Sequence, residues 1–291
     1  MSVSLFFQLL ANGVMAGGMY ALVASGLTLT LGVLKVLNFA QGDFLMLGAY
    51  LTYAVVVSAG LPWLVALLVA TVVMALLGVA VYFGLLERAS RYGFFNPMLV
   101  TVFLATIIEQ VSVNTFASQS RVIPPLLTGV VTIGNVTLSQ AKLLVIGCSV
   151  VVLVALYLFM KRKLGKAMLA SSESHEVASL MGINPRRVFW VTMAVGCGLS
   201  GLAGAIVAPV YGAFSIMGAT VFPRALLVLM LGGMGSMSGA LISAFIIGIV
   251  GSFAYQYVGS WDLLVVLGLV GLVIYIRPGG LLGKPMPLPG E

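Results

Sequence analysis

Residues 143–160 read LLVIGCSVVVLVALYLFM, an apolar run long enough to cross a lipid bilayer. A backbone inside lipid has to satisfy its own hydrogen-bonding groups, which leaves only helices or a closed β-barrel. Barrel strands alternate polar and apolar residues at every second position, and this run does not alternate. The segment therefore predicts a membrane-spanning α-helix.

The whole chain has a composition that extends this prediction. Hydrophobic residues make up 61% of its 291 residues and charged residues only 7%, and the mean hydropathy is +1.19. Soluble domains carry about 25% charged residues, so this chain cannot cover a water-facing surface. Further stretches without a charged residue are 1–34, 44–86, 188–223 and 225–261.

These stretches predict an all-α polytopic membrane protein with about eight transmembrane helices, some of them broken or re-entrant. Residues 1–291 are predicted to form a single transmembrane domain. The first apolar run lacks a preceding basic segment and is longer than a leader's apolar core, so it predicts a membrane helix. The predicted spans are 5–33, 43–60, 62–86, 97–118, 142–160 and 188–209, with at least two more in 222–277.

Basic residues predict which loops face the cytoplasm. Segment 161–187 carries six Lys and Arg residues, and the 87–96 loop carries two. The 119–140 loop contains a single Lys or Arg, which is Arg121, so this loop is predicted to lie outside. Within it, residues 129–137 alternate in the manner of a small β-hairpin.

The side of the membrane on which the C-terminal tail lies depends on whether the number of preceding crossings is odd or even. Arg277 and Lys284 predict a cytoplasmic tail, which requires an odd number of crossings within 222–277. A broken or re-entrant segment near 232–236 would supply the odd crossing. This glycine-rich segment and residues 38–43 also occupy similar positions in the two halves, as in transporters built from repeats, although two ordinary loops would look the same.

The polar cytoplasmic segment 165–184 contains a predicted short amphipathic helix. Its apolar face suits a groove on another protein or, equally well, the surface of the bilayer. The helix signals are the capping residues Ser172 or Ser174, the first-turn carboxylates Glu173 and Glu176, the apolar residues Val177, Leu180 and Met181, and the stop residues Gly182 and Asn184.

Four motifs occur in order along nearly the whole chain: Asn38–Phe44 followed by Met46–Tyr50; Gly165, Ala170, Ala178, Leu180, Met181, Gly182, Ile183 and Asn184; Leu231–Ser236 with Gly239 and Ala240; and Arg277–Gly283. Together they resemble the permease subunits of ABC importers for branched-chain amino acids. Two positions depart from that family's pattern. Leu169 stands where the family usually has Arg, and Gln41 replaces a frequent His, so a titrating group is missing there.

The resemblance implies a permease in the bacterial inner membrane that takes up branched-chain or other hydrophobic amino acids. It also implies a second, related permease subunit, two cytoplasmic ATPase subunits that use ATP, a periplasmic solute-binding protein and surrounding membrane lipid. Segment 161–187 would be the cytoplasmic coupling loop. Coupling to the ATPase is expected from Gly165, Lys166, Glu173, Glu176, Ala178, Leu180, Met181, Gly182, Ile183 and Asn184.

The translocation path or its hinge is expected at two polar or glycine-rich segments and one membrane carboxylate. Glu109 lies near the centre of a span, where it lines the path or is buried against a neighbouring helix. Asp43 and Asp262 each begin a span and are candidates for capping. The expected path residues are Asn38, Gln41, Gly42, Asp43, Glu109, Gly232, Gly233, Gly235 and Ser236.

Other functions are less well supported by the residues. The only histidine is His175, the two cysteines lie in apolar stretches, and no catalytic or metal-ligand cluster stands out. The closest string to a Walker A motif, 279–284, has the wrong spacing, so no bound cofactor, metal, nucleic acid or enzymatic activity is expected. The rivals are the same architecture importing urea, short amides or another small solute, an ion-coupled secondary transporter and a membrane-embedded enzyme.

Overall fold

The computed structural model describes residues 3–93, 95–116, 120–125, 127, 129–133 and 136–283. Helices dominate the described chain, and an antiparallel hairpin pairs β1 with β2 as the 129–137 pattern predicted, although residues 134–135 lie outside the described residues. Lys284 also lies outside them. The elements are α1 Val3–Leu34, α2 Gln41–Tyr53, α3 Trp63–Val81, α4 Glu87–Ala89, α5 Phe95–Phe116, β1 Val130–Ile133, β2 Val136–Ser139, α6 Gln140–Met160, α7 Lys163–Glu173, α8 His175–Leu180, α9 Pro185–Tyr211, α10 Met217–Gly232, α11 Met237–Val258 and α12 Asp262–Ile276.

The prediction of an all-helical polytopic membrane protein is confirmed. Six helical stretches of the described chain are long and apolar enough to cross a membrane, and the last of them contains both α11 and α12. Helix α3 reaches this length by continuing through a π-helical turn into α4. Helix α10, with 16 residues, is shorter than the about 20 residues of a full span. Helix α2 has 13 residues and continues through a π-helical turn, Ala54–Ser58.

The short helix α10 resolves the parity of the tail. Helices α9, α10, α11 and α12 follow segment 161–187, so four passes return the chain to the same side. The contacts agree, because a Cβ on Gly32 would lie 3.8 Å from Ser172 in α7 and 4.0 Å from Gly235 after α10. Gly233 in turn touches Gly279 and Gly283 of the tail. The C-terminal turn therefore lies on the same side as segment 161–187, the side that loop charge predicts to be cytoplasmic.

Helices α1 and α9 form the centre of the protein, and each is followed by a short helix and a long one. Helix α1 packs mainly on α11, and α9 packs mainly on α3 and α2. The first helix of each unit, α1–α3 and α9–α11, thus packs on the third helix of the other, which is the contact pattern of inverted repeats. The segment corresponding to 38–40 is 212–216, rather than the 232–236 segment that the sequence comparison of the two halves suggested.

Glycines allow these helix pairs to approach closely. A Cβ added at Gly48 of α2 would overlap the backbone of Gly201 in α9, and one at Gly204 would overlap the backbone of Leu45. The same holds where Gly17 of α1 faces Gly248 of α11. Small residues at helix contacts are the usual means of association in lipid, where burial from water gives no driving force.

Replacing Gly48 with Val should destabilise the protein by about 1–3 kcal/mol, because the added side chain forces α2 away from α9. The measurement is thermal unfolding of the purified protein in detergent. Gly147→Val in α6 is the matched control, since a Cβ there meets nothing within 4 Å. Equal melting temperatures for the two variants would contradict the packing argument.

Candidate functional site

The N-termini of the short helices α2 and α10 meet in the interior of the protein. A Cβ on Gly42 would overlap the carbonyl of Gly218, and one on Gly218 would overlap the Asp43 side chain and lie 2.9 Å from its backbone nitrogen. Free N–H groups give a helix N-terminus a partial positive charge, and transporters commonly bind their solutes between such interrupted helices. The sequence singled out Gly42 and Asp43 but missed Gly218, which has no local motif around it.

A buried network of amides holds the start of α2 in place. Gln41 donates from Nε2 to the Gly196 carbonyl at 2.8 Å and to the Ser200 hydroxyl at 2.7 Å, both in α9. Asn38 donates from Nδ2 to Gln41 Oε1 at 3.1 Å, and its own Oδ1 accepts from the Ala40 N–H at 3.2 Å. Asn38 and Gln41 are fully buried. The structure therefore gives both residues a positioning role at the beginning of the half-helix.

A cavity of about 190 Å³ lies beside this junction. Asp43 and Glu109 both line it, together with the rings of Phe39 and Phe222. Asp43 is 5% exposed and lies in the first turn of α2, whereas Glu109 is half-buried on α5. Glu109 thus lines a cavity wall. The cavity is walled by α2, α5 and α10, and its remaining lining residues are Val102, Ala105, Thr106, Gly218 and Ala219.

The second predicted path segment lies elsewhere, in the turn between α10 and α11. Ser236 caps α11 by accepting from the Gly239 N–H at 3.1 Å. The tail closes over this turn, because Leu281 donates its N–H to the Leu231 carbonyl at 2.8 Å. Gly232, Gly233, Gly235 and Ser236 therefore do not line the junction cavity.

Segment 161–187, which loop charge predicts to be cytoplasmic, contains two helices, α7 and α8, that are fixed at both ends. A Cβ on Gly165 would overlap the backbone of Met160, so α7 folds tightly against the end of α6. Lys35 at the end of α1 donates to the Ser172 carbonyl at 2.9 Å. Ser174 caps α8 by accepting from the Val177 N–H at 3.3 Å. These contacts connect α7 and α8 to the membrane helices.

The connection continues from α8 into the central helix α9. Gly182 has a φ of +81°, a left-handed conformation that ends α8 and favours glycine. Asn184 then caps α9 by accepting from the Arg187 N–H at 3.3 Å. Ile183 packs between them as part of a cluster with Val188 and Met168. Movement of α8 would therefore be transmitted to α9.

One face of this segment has no apolar partner within the described chain. Ala178 is buried beneath α8 at 3% exposure, whereas Leu180 and Met181 are 87% and 79% exposed. Val177 is also exposed. The predicted polar coupling residues Lys166, Glu173 and Glu176 are exposed on the same segment. The pattern is that of a docking surface with an apolar centre and a charged surround.

His175 at the start of α8 is half-buried and packs edge-on against the Phe189 ring, with 5.2 Å between ring centroids. Burial, and secondly the nearby Lys35 charge, lower the pKa of His175 below its usual value. The imidazole is therefore neutral at neutral pH. Across the described residues no group of three or more metal-binding side chains is found.

Sequence reasoning missed one charged group inside the membrane layer. Arg224 of α10 forms an ion pair with Asp262 at the start of α12, with 2.8 Å between Nη2 and Oδ2. Asp262 was expected only to cap its helix. The available signal was that Arg224 is the single charged residue between 188 and 261, which is itself an indication of function in a membrane segment.

Comparison with known proteins identifies a family. Residues 9–276 match the family model described as the permease component of branched-chain amino acid transport systems. The chain is 26% identical to the high-affinity branched-chain amino acid transport system permease protein BraD of Pseudomonas aeruginosa, over 96% of both chains. It is 28% identical to the corresponding protein LivH of Escherichia coli K12, again over 96% of both.

A solved structure has the same fold. PsaBC from Streptococcus pneumoniae in complex with Fab superposes with a TM-score of 0.52, at 15% identity, over 96% of this chain and 97% of that chain. At this identity the likeness concerns the fold alone.

Replacing Gln41 with Leu should cost about 1–3 kcal/mol in stability, because the Gly196 carbonyl and the Ser200 hydroxyl lose a buried partner. Gln41→His should cost less, since imidazole can still donate one hydrogen bond. Thermal unfolding of the purified variants measures both. A Leu variant as stable as the parent protein would contradict the positioning role of Gln41.

Proposed function

The chain belongs to the permease-component family of branched-chain amino acid transport systems, and from this premise we propose that it imports branched-chain or other hydrophobic amino acids. It is a multi-pass transport subunit of the inner membrane. The amino acid specificity is proposed from the relatives BraD and LivH, whose names state it.

We propose that solute passes along the face formed by α2, α5 and α10. The observation that carries this proposal is the meeting of two half-helix N-termini at Gly42 and Gly218 beside a cavity lined by Asp43 and Glu109. Interrupted helices leave backbone groups available to a polar solute without exposing them to lipid. The rings of Phe39 and Phe222, whose centroids are 5.4 Å apart, offer an apolar surface to a hydrophobic side chain.

We propose further that an ATPase subunit docks on the exposed surface of α8. The support is the exposure of Leu180 and Met181 at the end of a helix whose Gly182–Asn184 turn leads directly into α9. ATP-driven movement of α8 would tilt α9, and α9 holds the start of α2 through Gln41. An additional link is the Arg186–Glu87 ion pair at 2.8 Å, which joins the start of α9 to α4.

The other subunits of the transporter are proposed to be separate chains. Two ATPase subunits would use ATP, while this chain would hold no cofactor or metal and catalyse no reaction itself. A second, related permease would cover the exposed apolar stripe of Leu99, Phe103 and Ile107 on α5. A periplasmic binding protein would deliver solute to the outer face.

Leu180→Asp should weaken ATPase docking, because a charge would be placed at the apolar centre of the interface. We expect co-purification of ATPase subunits and ATP-dependent leucine uptake in proteoliposomes to fall by roughly tenfold or more, the equivalent of about 1.4 kcal/mol in docking. Thermal stability of the isolated permease should be unchanged, since Leu180 is 87% exposed.

Tyr92→Asp is the matched control, because Tyr92 is 80% exposed on the other cytoplasmic loop. It should retain docking and uptake. If the two variants behave alike, or if Leu180→Asp keeps its ATPase subunits, then α8 is not the docking surface.

Glu109→Gln distinguishes the ATP-driven importer from an ion-coupled transporter. If ATP drives accumulation, uptake by the variant should remain ATP-dependent and should be insensitive to a protonophore, as in the parent protein. The measurement is leucine accumulation in proteoliposomes with ATP inside or with an imposed proton gradient alone. Gradient-driven uptake that the Gln variant loses would instead support ion coupling through Glu109.

A further inference from the structure

A second and larger cavity, of about 620 Å³, lies between α1, α10 and α11 and shares no lining residue with the junction cavity. Four of its polar lining residues, here called the rim, are Lys142, Tyr211, Gln256 and Asp262. These residues lie near the outer ends of α6, α9, α11 and α12. Charged and polar side chains at these helix ends favour a charged, dissolved ligand over the apolar chain of a lipid.

The cavity contains charges of both signs. Asp262 is bound by Arg224 through one oxygen, and Arg224 also donates to the Thr220 carbonyl at 3.0 Å. A guanidinium has five N–H donors, so these two bonds leave donors for a ligand. Lys142 donates to Asn12 Oδ1 at 2.8 Å, which is a neutral acceptor, and within the described chain no carboxylate forms an ion pair with it.

Two cations and one carboxylate give the cavity a net positive charge at neutral pH. An anionic group on the ligand would balance this charge, and a carboxylate suits a lysine and an arginine through charge-assisted hydrogen bonds. The remaining oxygen of Asp262 is an acceptor for a ligand ammonium. Such an arrangement complements a molecule that carries both charges a short distance apart.

Other walls of the cavity are apolar. They are formed by Leu9, Met15 and Ala16 on α1, Val210 on α9 and Ile247 on α11. A volume of this size falls within the range of small-molecule sites, about 300–1,000 Å³, which typically combine apolar walls with a few polar groups. The charged groups and the apolar walls together therefore match a hydrophobic zwitterion.

We propose that this cavity is an outer binding site for a hydrophobic amino acid. Its carboxylate is held by Lys142 and Arg224, its ammonium by Asp262, and its side chain by the apolar wall. The identity of the ligand rests on the proposed function. Because Arg224 and Gly218 both belong to α10, an occupied outer site would act on the same short helix that forms the junction cavity.

The first test measures binding of L-leucine to the purified permease by saturation-transfer NMR, without ATPase subunits or binding protein. Lys142→Met should weaken binding by roughly tenfold, since it removes a charge-assisted hydrogen bond. Lys163→Met, an exposed cytoplasmic lysine, is the matched control and should bind as the parent does. Isopentylamine, which lacks the carboxylate, should not compete. Absence of leucine binding to the parent, or equal binding by both variants, would overturn the proposal.

The second test locates the ligand. In a Cys148→Ser background, Gln256→Cys at the rim should react with a membrane-impermeant thiol reagent, and leucine should protect it. Tyr257→Cys, the next residue on α11 but outside this cavity, should not be protected. The amino acid site would be ruled out if leucine protected neither cysteine. It would also be ruled out if phosphatidylglycerol in nanodiscs, and not leucine, gave the protection.

Uptake in proteoliposomes with the partner subunits separates this inference from the proposed function. If ATP-driven leucine uptake occurs but neither binding nor protection is observed, the proposal of an outer site is wrong and the proposed importer function is retained. If no amino acid accumulates with ATP and all partners present, the proposed function itself fails.

Discussion

The structure depends on one constraint, which is that a backbone inside lipid must satisfy its own hydrogen bonds. Helices can therefore stop within the membrane layer only where protein groups take over the unpaired N–H and carbonyl groups. Before α2, the Phe39 N–H bonds to the Thr101 hydroxyl and the Ala40 N–H to Asn38. Before α10, Ala213 pairs with Arg121 through two backbone bonds. The two breaks that create the junction are permitted by these contacts.

Close packing of glycines makes α9 the element through which, in the proposed mechanism, a movement of α8 would reach α2. Its cytoplasmic end follows α8, its middle contacts α2 at Gly201 and Gly204, and the same stretch holds Gln41. Close-packed interfaces with rigid backbones do not deform gradually, so a tilt of α9 would move α2 as a unit. In the proposed mechanism, a movement of α8 would therefore reach the junction of α2 and α10 without a long series of side-chain contacts.

The half-helix α10 has a comparable position on the other side of the molecule. Its first turn forms one wall of the junction cavity, and Arg224 one turn later points to the outer cavity and to Asp262. An arginine within the membrane layer is costly unless it is paired, and Asp262 provides that pairing at the end of a different helix. The ion pair thus fixes α10 against α12, and the remaining N–H donors of Arg224 stay available to the outer cavity.

The sequence alone determined the helical membrane fold and the family resemblance, because these follow from local apolar length and contiguous motifs. It also predicts, from loop charge, that 161–187 faces the cytoplasm. It also indicated the α8 helix and its exposed apolar face, since capping residues and helical periodicity are local. Only the tertiary structure decided that 38–43 meets Gly218 rather than 232–236, and that Arg224 pairs with Asp262. Those contacts join segments 38 to 176 residues apart, and no spacing rule along the chain can specify which helices pack together.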